Sequence, residues 1–230
     1  KEAARYYQYC IKEAFNDQRV FVNYGLILQD LGKLKEAELL LRKAIEIKPD
    51  VAGYYFNLGN ILNDLGKLQD AVLSIRKAIN IKPVFPEAYF NLGTILIDIG
   101  DLKEAERSIR KAIELKPDFV NAYYNLGAIL LDLGNYHEAQ ISTRKAIELK
   151  PDFADPYVNL GNIFKALGNL KEAEISTRRA IEINPEFAQA YSNLGSILRD
   201  LGNLKEAELS TRRAIEINPE FAQAYSNLGS

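Results

Sequence analysis

The chain has 230 residues, of which 47% are hydrophobic and 26% charged, an ordinary balance for a folded chain. Acids and bases nearly cancel, leaving a formal net charge of −2, so a nucleic-acid binder relying on a broad basic field is excluded. No apolar run reaches the roughly 18 residues needed to span a bilayer, and one cysteine, Cys10, allows no intramolecular disulfide and does not fix the redox compartment.

The chain is organised by a period of 34. Prolines stand at 49, 83, 117, 151, 185 and 219. Asn-Leu-Gly stands at 57–59, 91–93, 125–127, 159–161, 193–195 and 227–229, and Asn-Tyr-Gly at 23–25 keeps the register. Self-similarity at a fixed period of this size marks a stacked repeat array, in which length sets the number of copies. Read as one array over 1–230, the chain opens with the second half of a repeat (1–17). Full copies follow at 18–51, 52–85, 86–119, 120–153, 154–187 and 188–221, and 222–230 starts a further one. Both ends fall inside a repeat, so the chain reads as a fragment of a longer protein. Segments 169–196 and 203–230 differ only at Ile175 versus Leu209, the mark of recent duplication.

Each copy holds two helices. In 120–153 the first is expected from about Val120 to Leu133. Its apolar Tyr123, Leu126, Ile129, Leu130 and Leu133 fall at three- and four-residue spacings, one stripe on a helix. Gly134 stops it, as Gly32, Gly66, Gly100, Gly168 and Gly202 do elsewhere, since a glycine past the last periodic residue takes the left-handed cap conformation. The second helix is expected from Tyr136 to Lys150, with Ala139, Thr143, Ala146, Ile147 and Leu149 on its apolar side. Pro151 ends it. Asp152 is then read as the cap of the next helix and Phe153 as its staple. Glycine recurs inside every first helix (25, 59, 93, 127, 161, 195), a cost of roughly 0.5–1 kcal/mol against alanine. Close approach to a second helix bearing small residues, such as Ala105 and Ala112, gives the reason.

These residues resemble the tetratricopeptide pattern, W-x2-L-G-x2-Y…A-x3-F…P over 34 residues. It stands here as Tyr55-x2-Leu58-Gly59-x2-Leu62…Ala71-x3-Ile75…Pro83 and covers the whole chain. The chain departs from it where Tyr, Phe or Leu replaces Trp and Tyr. The Phe position also drifts, from Leu41, Ile75 and Ile109 to Thr143, Thr177 and Thr211. The resemblance implies an all-α, right-handed superhelix of antiparallel helix pairs, first helices lining a concave inner surface and second helices the outer one. It also implies a protein–protein interaction module.

No catalytic constellation is legible, and the chain is read as no enzyme, without cofactor or metal. His137 is alone, with no ligand-spaced partners, and reads as a solvated surface residue. Cys10 takes the place of a small packing alanine. On the inner face Asn23, Asn57, Asn91, Asn125, Asn159, Asn193 and Asn227 make a column, one per copy. An asparagine offers the acceptor and donor that a peptide unit offers. Packed helices lie 8–10 Å apart and an extended chain advances about 3.3–3.6 Å per residue, so one rung would meet about every third residue of a bound strand. The repeat region of O-GlcNAc transferase is similar, holding extended peptide with such a ladder. The alternative is that each Asn bonds to a neighbouring helix.

Beside the column, Phe56, Phe90 and Tyr124 form an aromatic patch suited to apolar or proline-rich anchors, or to packing on the adjacent repeat. Asp30, Asp64, Asp98, Asp132 and Asp200 form a second column, broken at Ala166. It would favour basic peptides, or pair with nearby Lys or Arg. Family members that bind chaperone tails clamp a carboxylate with Lys and Arg on this face. Asn and aromatic residues stand there instead, so such a partner is not expected. Arg110-Lys111, Arg144-Lys145 and Arg178-Arg179 lie on outer helices and are expected to pair with Glu114, Glu148 and Glu182 four residues on. The partners expected are therefore a protein or peptide in the groove, with neither nucleic acid nor membrane. End-to-end self-association would run through Tyr7 and Ile11 at one end and Tyr225 and Leu228 at the other. Two other readings remain: a structural scaffold, and the substrate-recruiting arm of an enzyme. The compartment stays open, the cytoplasm being the default.

Overall fold

The computed structural model describes residues 17–228, which divide into two compact units, the first ending at Pro117 and the second beginning at Asp118. Among the described residues there are helices and no strands. The first unit contains α1 (Gln18–Asp30), α2 (Leu34–Ile47), α3 (Ala52–Asp64), α4 (Leu68–Ile81), α5 (Pro86–Ile99) and α6 (Leu102–Leu115). The second contains α7 (Val120–Asp132), α8 (Tyr136–Leu149), α9 (Ala154–Ala166), α10 (Leu170–Ile183), α11 (Ala188–Asp200), α12 (Leu204–Ile217) and α13 (Ala222–Leu228). This is an all-α solenoid of helix pairs. Cys10, Tyr7 and Ile11 lie outside the described residues, as does the helix expected over 1–14.

The stops fall where the period puts them. All six inter-helix glycines have positive φ, between 72° and 90°. At the end of α5, Gly100 (φ 90°) donates its N–H to Ile97 O, and the Asp101 N–H reaches back to Leu96 O at 2.9 Å. That six-to-one bond closes the helix with a left-handed residue, which glycine adopts without strain. The expected Asp152 cap is not formed. The chain turns into α9 one residue later, with Phe153 at the N-cap in an extended conformation and no side-chain cap bond. A side-chain cap does form where Asp101 accepts from the Glu104 N–H at 3.1 Å.

Within a pair the small residues face each other. Ala105 and Ala112 of α6 and Ala139 and Ala146 of α8 are completely buried. A Cβ placed on Gly93 would stand 2.6 Å from both Cδ1 and Cγ1 of Ile109, and one on Gly59 would stand 2.5 Å from Ile75 Cδ1. The mid-helix glycines are therefore a packing requirement. Where the partner is threonine the vacated space is filled differently. Thr177 and Thr211 donate to the carbonyls of Ala173 and Ala207 four residues back, at 2.8 and 2.9 Å, the usual outlet for a mid-helix hydroxyl. Burying threonine beside glycine thus costs no unmet hydroxyl in these two copies. At Thr143 the hydroxyl is buried with no partner.

The order of packing positions the functional face. α1, α3, α5, α7, α9 and α11 each pack on their own second helix, and α3, α5, α9, α11 and α13 pack also on the second helix of the copy before. Neighbouring first helices also touch: α1 with α3, α3 with α5, α7 with α9, α9 with α11, and α11 with α13. Among the described residues of each unit no second helix packs on another in this way, and the pairs that meet do so through side-chain ion pairs such as Arg76–Glu104 and Arg178–Glu206. First helices therefore make the closely spaced side of each unit. Leu58, Ile61 and Leu62 of α3 and Ile75 of α4 fill the core behind it.

Candidate functional site

The asparagine column lies on the first-helix side, and its members differ in what they hold. Asn91 donates from Nδ2 to Asn60 Oδ1 at 2.8 Å, and Asn193 does the same to Asn162 Oδ1 at 2.8 Å. Both bonds run from one first helix to the first helix of the preceding copy, 31 residues back. Asn227 donates to the carbonyl and the hydroxyl of Ser192, and Gln189 donates to Asn193 Oδ1 at 2.7 Å. For Asn91 and Asn193 the partner is the residue 31 positions back. For Asn57 the residue there is Leu26 and for Asn159 it is Ala128, neither of which can accept. The Nδ2 of Asn159 is accordingly buried without a partner. Asn23 stands exposed at the start of the column, and Asn125 is half-buried.

Within the first unit Phe56 stacks on Phe85, with ring centroids 4.9 Å apart and planes tilted by 40°. The Lys82 ammonium lies over the Phe85 ring, 4.6 Å from its centroid. Within the second unit Tyr124 meets Phe153 at 5.4 Å. These aromatics pack on the last residue of their own copy, which stands at the N-cap of the next first helix, and each is half-buried, as is Phe90. Burial, with the Asp155 carboxylate nearby, pushes the Tyr124 phenol above its ordinary range.

All five carboxylates of the acidic column are exposed. Asp200 pairs with Lys165 at 3.0 Å. Asp64 accepts from Gln29 Nε2 at 2.7 Å and, among the described residues, meets no cation. Asp30, Asp98 and Asp132 likewise form no ion pair among the described residues. Sequence reasoning passed over the residue just before each acid. It is Gln29, Asn63 and Ile97 in the first unit, then Leu131, Lys165 and Arg199 in the second. Reading that register down the copies would have found the change from neutral to basic.

The outer helices behave as a solvated face with one correction. The Glu of each basic pair is taken by the second base at three residues: Lys111–Glu114 at 2.6 Å, Lys145–Glu148 at 2.6 Å and Arg179–Glu182 at 2.7 Å. The first base turns back instead, Arg110 to Glu106 and Arg178 to Glu174, each at 2.8 Å. Four residues carry a long side chain a full turn along the same face, so the first base has a Glu four back that suits it equally. A missed feature is an aliphatic column, Leu39, Leu73, Ile141, Ile175 and Leu209, each at least 60% exposed.

His137 is exposed. Among the described residues no group of three His, Cys, Asp or Glu could hold a metal ion, and no helix is long and apolar enough to cross a membrane.

Family models now bear on this geometry. The tetratricopeptide repeat model matches 18–51, 120–153, 154–187 and 188–221, and a TPR repeat model matches 59–100 and 93–134. The chain belongs to the tetratricopeptide repeat family. No curated protein matches it in sequence. Among solved structures it is similar to YrrB, a TPR protein with an unusual peptide-binding site, at 25% identity and a TM-score of 0.65, covering 83% of this chain and 98% of that one. It is similar to MamA at 26% identity and a TM-score of 0.65, covering 75% and 94%. PilF of Pseudomonas aeruginosa shares the fold at 17% identity and a TM-score of 0.76, covering 91% and 95%. As a tetratricopeptide array the chain is a protein-interaction scaffold.

Proposed function

We propose that this tetratricopeptide chain binds an extended segment of a partner protein on its first-helix face. The rungs that the fold leaves available engage the partner's backbone. The observation that carries the reading is the uneven use of the column. Asn57 has no bond to its neighbour, and Asn91 keeps one N–H and its carbonyl oxygen after bonding Asn60. An amide with one donor and one acceptor free matches one peptide unit. The similar protein YrrB, a TPR protein with a peptide-binding site, supports the reading. The scaffold does not draw on a catalytic group of its own.

The experiment replaces Asn91, Asn125 and Asn159 together by alanine and screens both proteins on a peptide array. Loss of binding at unchanged helicity is the expected result. Undiminished binding with intact helicity would leave the column without a ligand role.

Self-association is a second mode, favoured by Tyr225, which is 50% exposed on α13. It predicts a concentration-dependent rise in mass by light scattering, and Tyr225→Lys suppresses that rise. Monomers at millimolar concentration would refute it.

A further inference from the structure

The first unit carries one small cavity on its first-helix side, about 200 Å³, walled by α3 and α5. Its polar lining is Asn60 and Asn63 with Asp64 from α3, and Asn91 with Thr94 from α5; Phe90 supplies an aromatic edge. Not every polar group there is satisfied. Asn91 spends one of its two amide N–H groups on Asn60 Oδ1. The Thr94 hydroxyl donates to the Phe90 carbonyl at 3.1 Å. The Asn63 carbonyl oxygen is buried with no donor at all. Asp64 uses one carboxylate oxygen for Gln29, which leaves the other without a bond among the described residues. Amide N–H groups of Asn60, Asn63 and Asn91 also line the cavity, but two acceptors stand without a donor, and the one formal charge in the lining, on Asp64, is negative.

The second unit does not repeat this arrangement. At the Asn63 register it has Leu131, Lys165 and Arg199. Lys165 satisfies Asp200 at 3.0 Å and Ser196 at 2.6 Å. Its own bases supply what the cavity of the first unit lacks.

We propose that this cavity is a subsite for a basic side chain, arginine or lysine, of the bound segment. The inference rests on the peptide reading above and names the chemistry that the segment must carry. The guanidinium or ammonium sits against the free oxygen of Asp64. Its remaining N–H groups supply the Asn63 carbonyl once that amide turns toward the cavity, and its stem lies along Phe90. A cation with several donors fills every deficit at once. A carboxylate or phosphate would face the negative charge of Asp64 with no cation in the lining to offset it.

The test uses three acetylated, amidated nonapeptides of alternating serine and alanine, with arginine, citrulline or glutamate at the centre. Citrulline keeps the shape of arginine and drops the charge. Binding is followed by NMR titration of the whole chain, reading the side-chain amide signals of Asn60 and Asn63. The arginine peptide binds about tenfold tighter than the citrulline peptide, as a charge-assisted bond requires, and it alone moves those signals. Asp64→Asn preserves the shape of the wall and abolishes the preference for arginine over citrulline. Equal affinities for arginine and citrulline on the unaltered chain would overturn the subsite. So would an arginine preference that survives in Asp64→Asn. Either result leaves the peptide reading standing, whereas failure of all three peptides to bind would remove both.

Discussion

Replacing Gly93 by alanine adds one methyl group to a helix crossing with no room for it. The new Cβ lies 2.6 Å from two atoms of Ile109 and 3.3 Å from the Ala105 carbonyl oxygen. Ile109 is completely buried, and carbon atoms settle at about 3.5–4.0 Å, so its side chain must retreat by about 1 Å into a filled core. Overpacking of this kind costs about 1–3 kcal/mol. The alanine returns about 0.5–1 kcal/mol of backbone entropy, which leaves a net loss of about 1–2 kcal/mol. Gly127 is the internal control. There the close atom is the Thr143 hydroxyl oxygen at 2.3 Å, the next contacts are at 3.4 Å, and that hydroxyl holds no partner to lose. Thr143 turns about χ1, and Gly127→Ala comes out near neutral. Repeat arrays open locally, so native-state hydrogen exchange read at α5–α6 and at α7–α8 is the assay. Equal losses at the two sites, or the larger loss at Gly127, would refute the claim that the facing side chain sets the glycine requirement.

Other outcomes follow from single contacts. Thr143→Val removes an unsatisfied buried hydroxyl and raises the urea midpoint by about 1 kcal/mol equivalent, whereas Thr177→Val forfeits the bond to Ala173 and does not. Burial alone would push the Glu38 carboxyl up, but hydrogen bonds from Lys67 at 2.7 Å and Arg42 at 2.9 Å together hold it below its ordinary range. Its contribution to stability is present above pH 4.5 and is lost as the pH falls through the lower folded value. Thermal melts of Glu38→Gln therefore lie below those of the parent at neutral pH and converge with them in acid. The raised Tyr124 phenol works at the other end of the scale. Its stabilising contribution is complete below pH 10.0 and is lost as the pH rises through the folded value, so Tyr124→Phe flattens the alkaline limb of the same melts.

The helix pairs were legible because their signals are local and repeated. A glycine that must turn left-handed and a proline that cannot donate mark the same place in every copy, and the six positive-φ glycines stand there. Asp152 was misread because side chain and cap position differ by one residue, and the stacking of Phe153 on Tyr124 claims the N-cap. The state of each rung was beyond a copy-by-copy reading. Whether Asn91 or Asn159 is bonded depends on Asn60 or Ala128, residues of the preceding copy that meet it only once the copies stack. The threonine drift became intelligible in the same way, through carbonyls four residues back that only a formed helix presents.

Because no second helix packs on the next within either unit, the back of each unit is a row of ribs joined through the front and, among themselves, by exposed ion pairs such as Arg76–Glu104 and Arg178–Glu206. Bending that spreads or gathers the ribs breaks little apolar contact, while bending across the front would have to shear the buried layer of leucines and isoleucines. Each unit is consequently soft along one direction and stiff along the other. A guest whose rise per residue does not match the spacing of the copies can be met by a slight opening of the spring rather than by loss of a foothold.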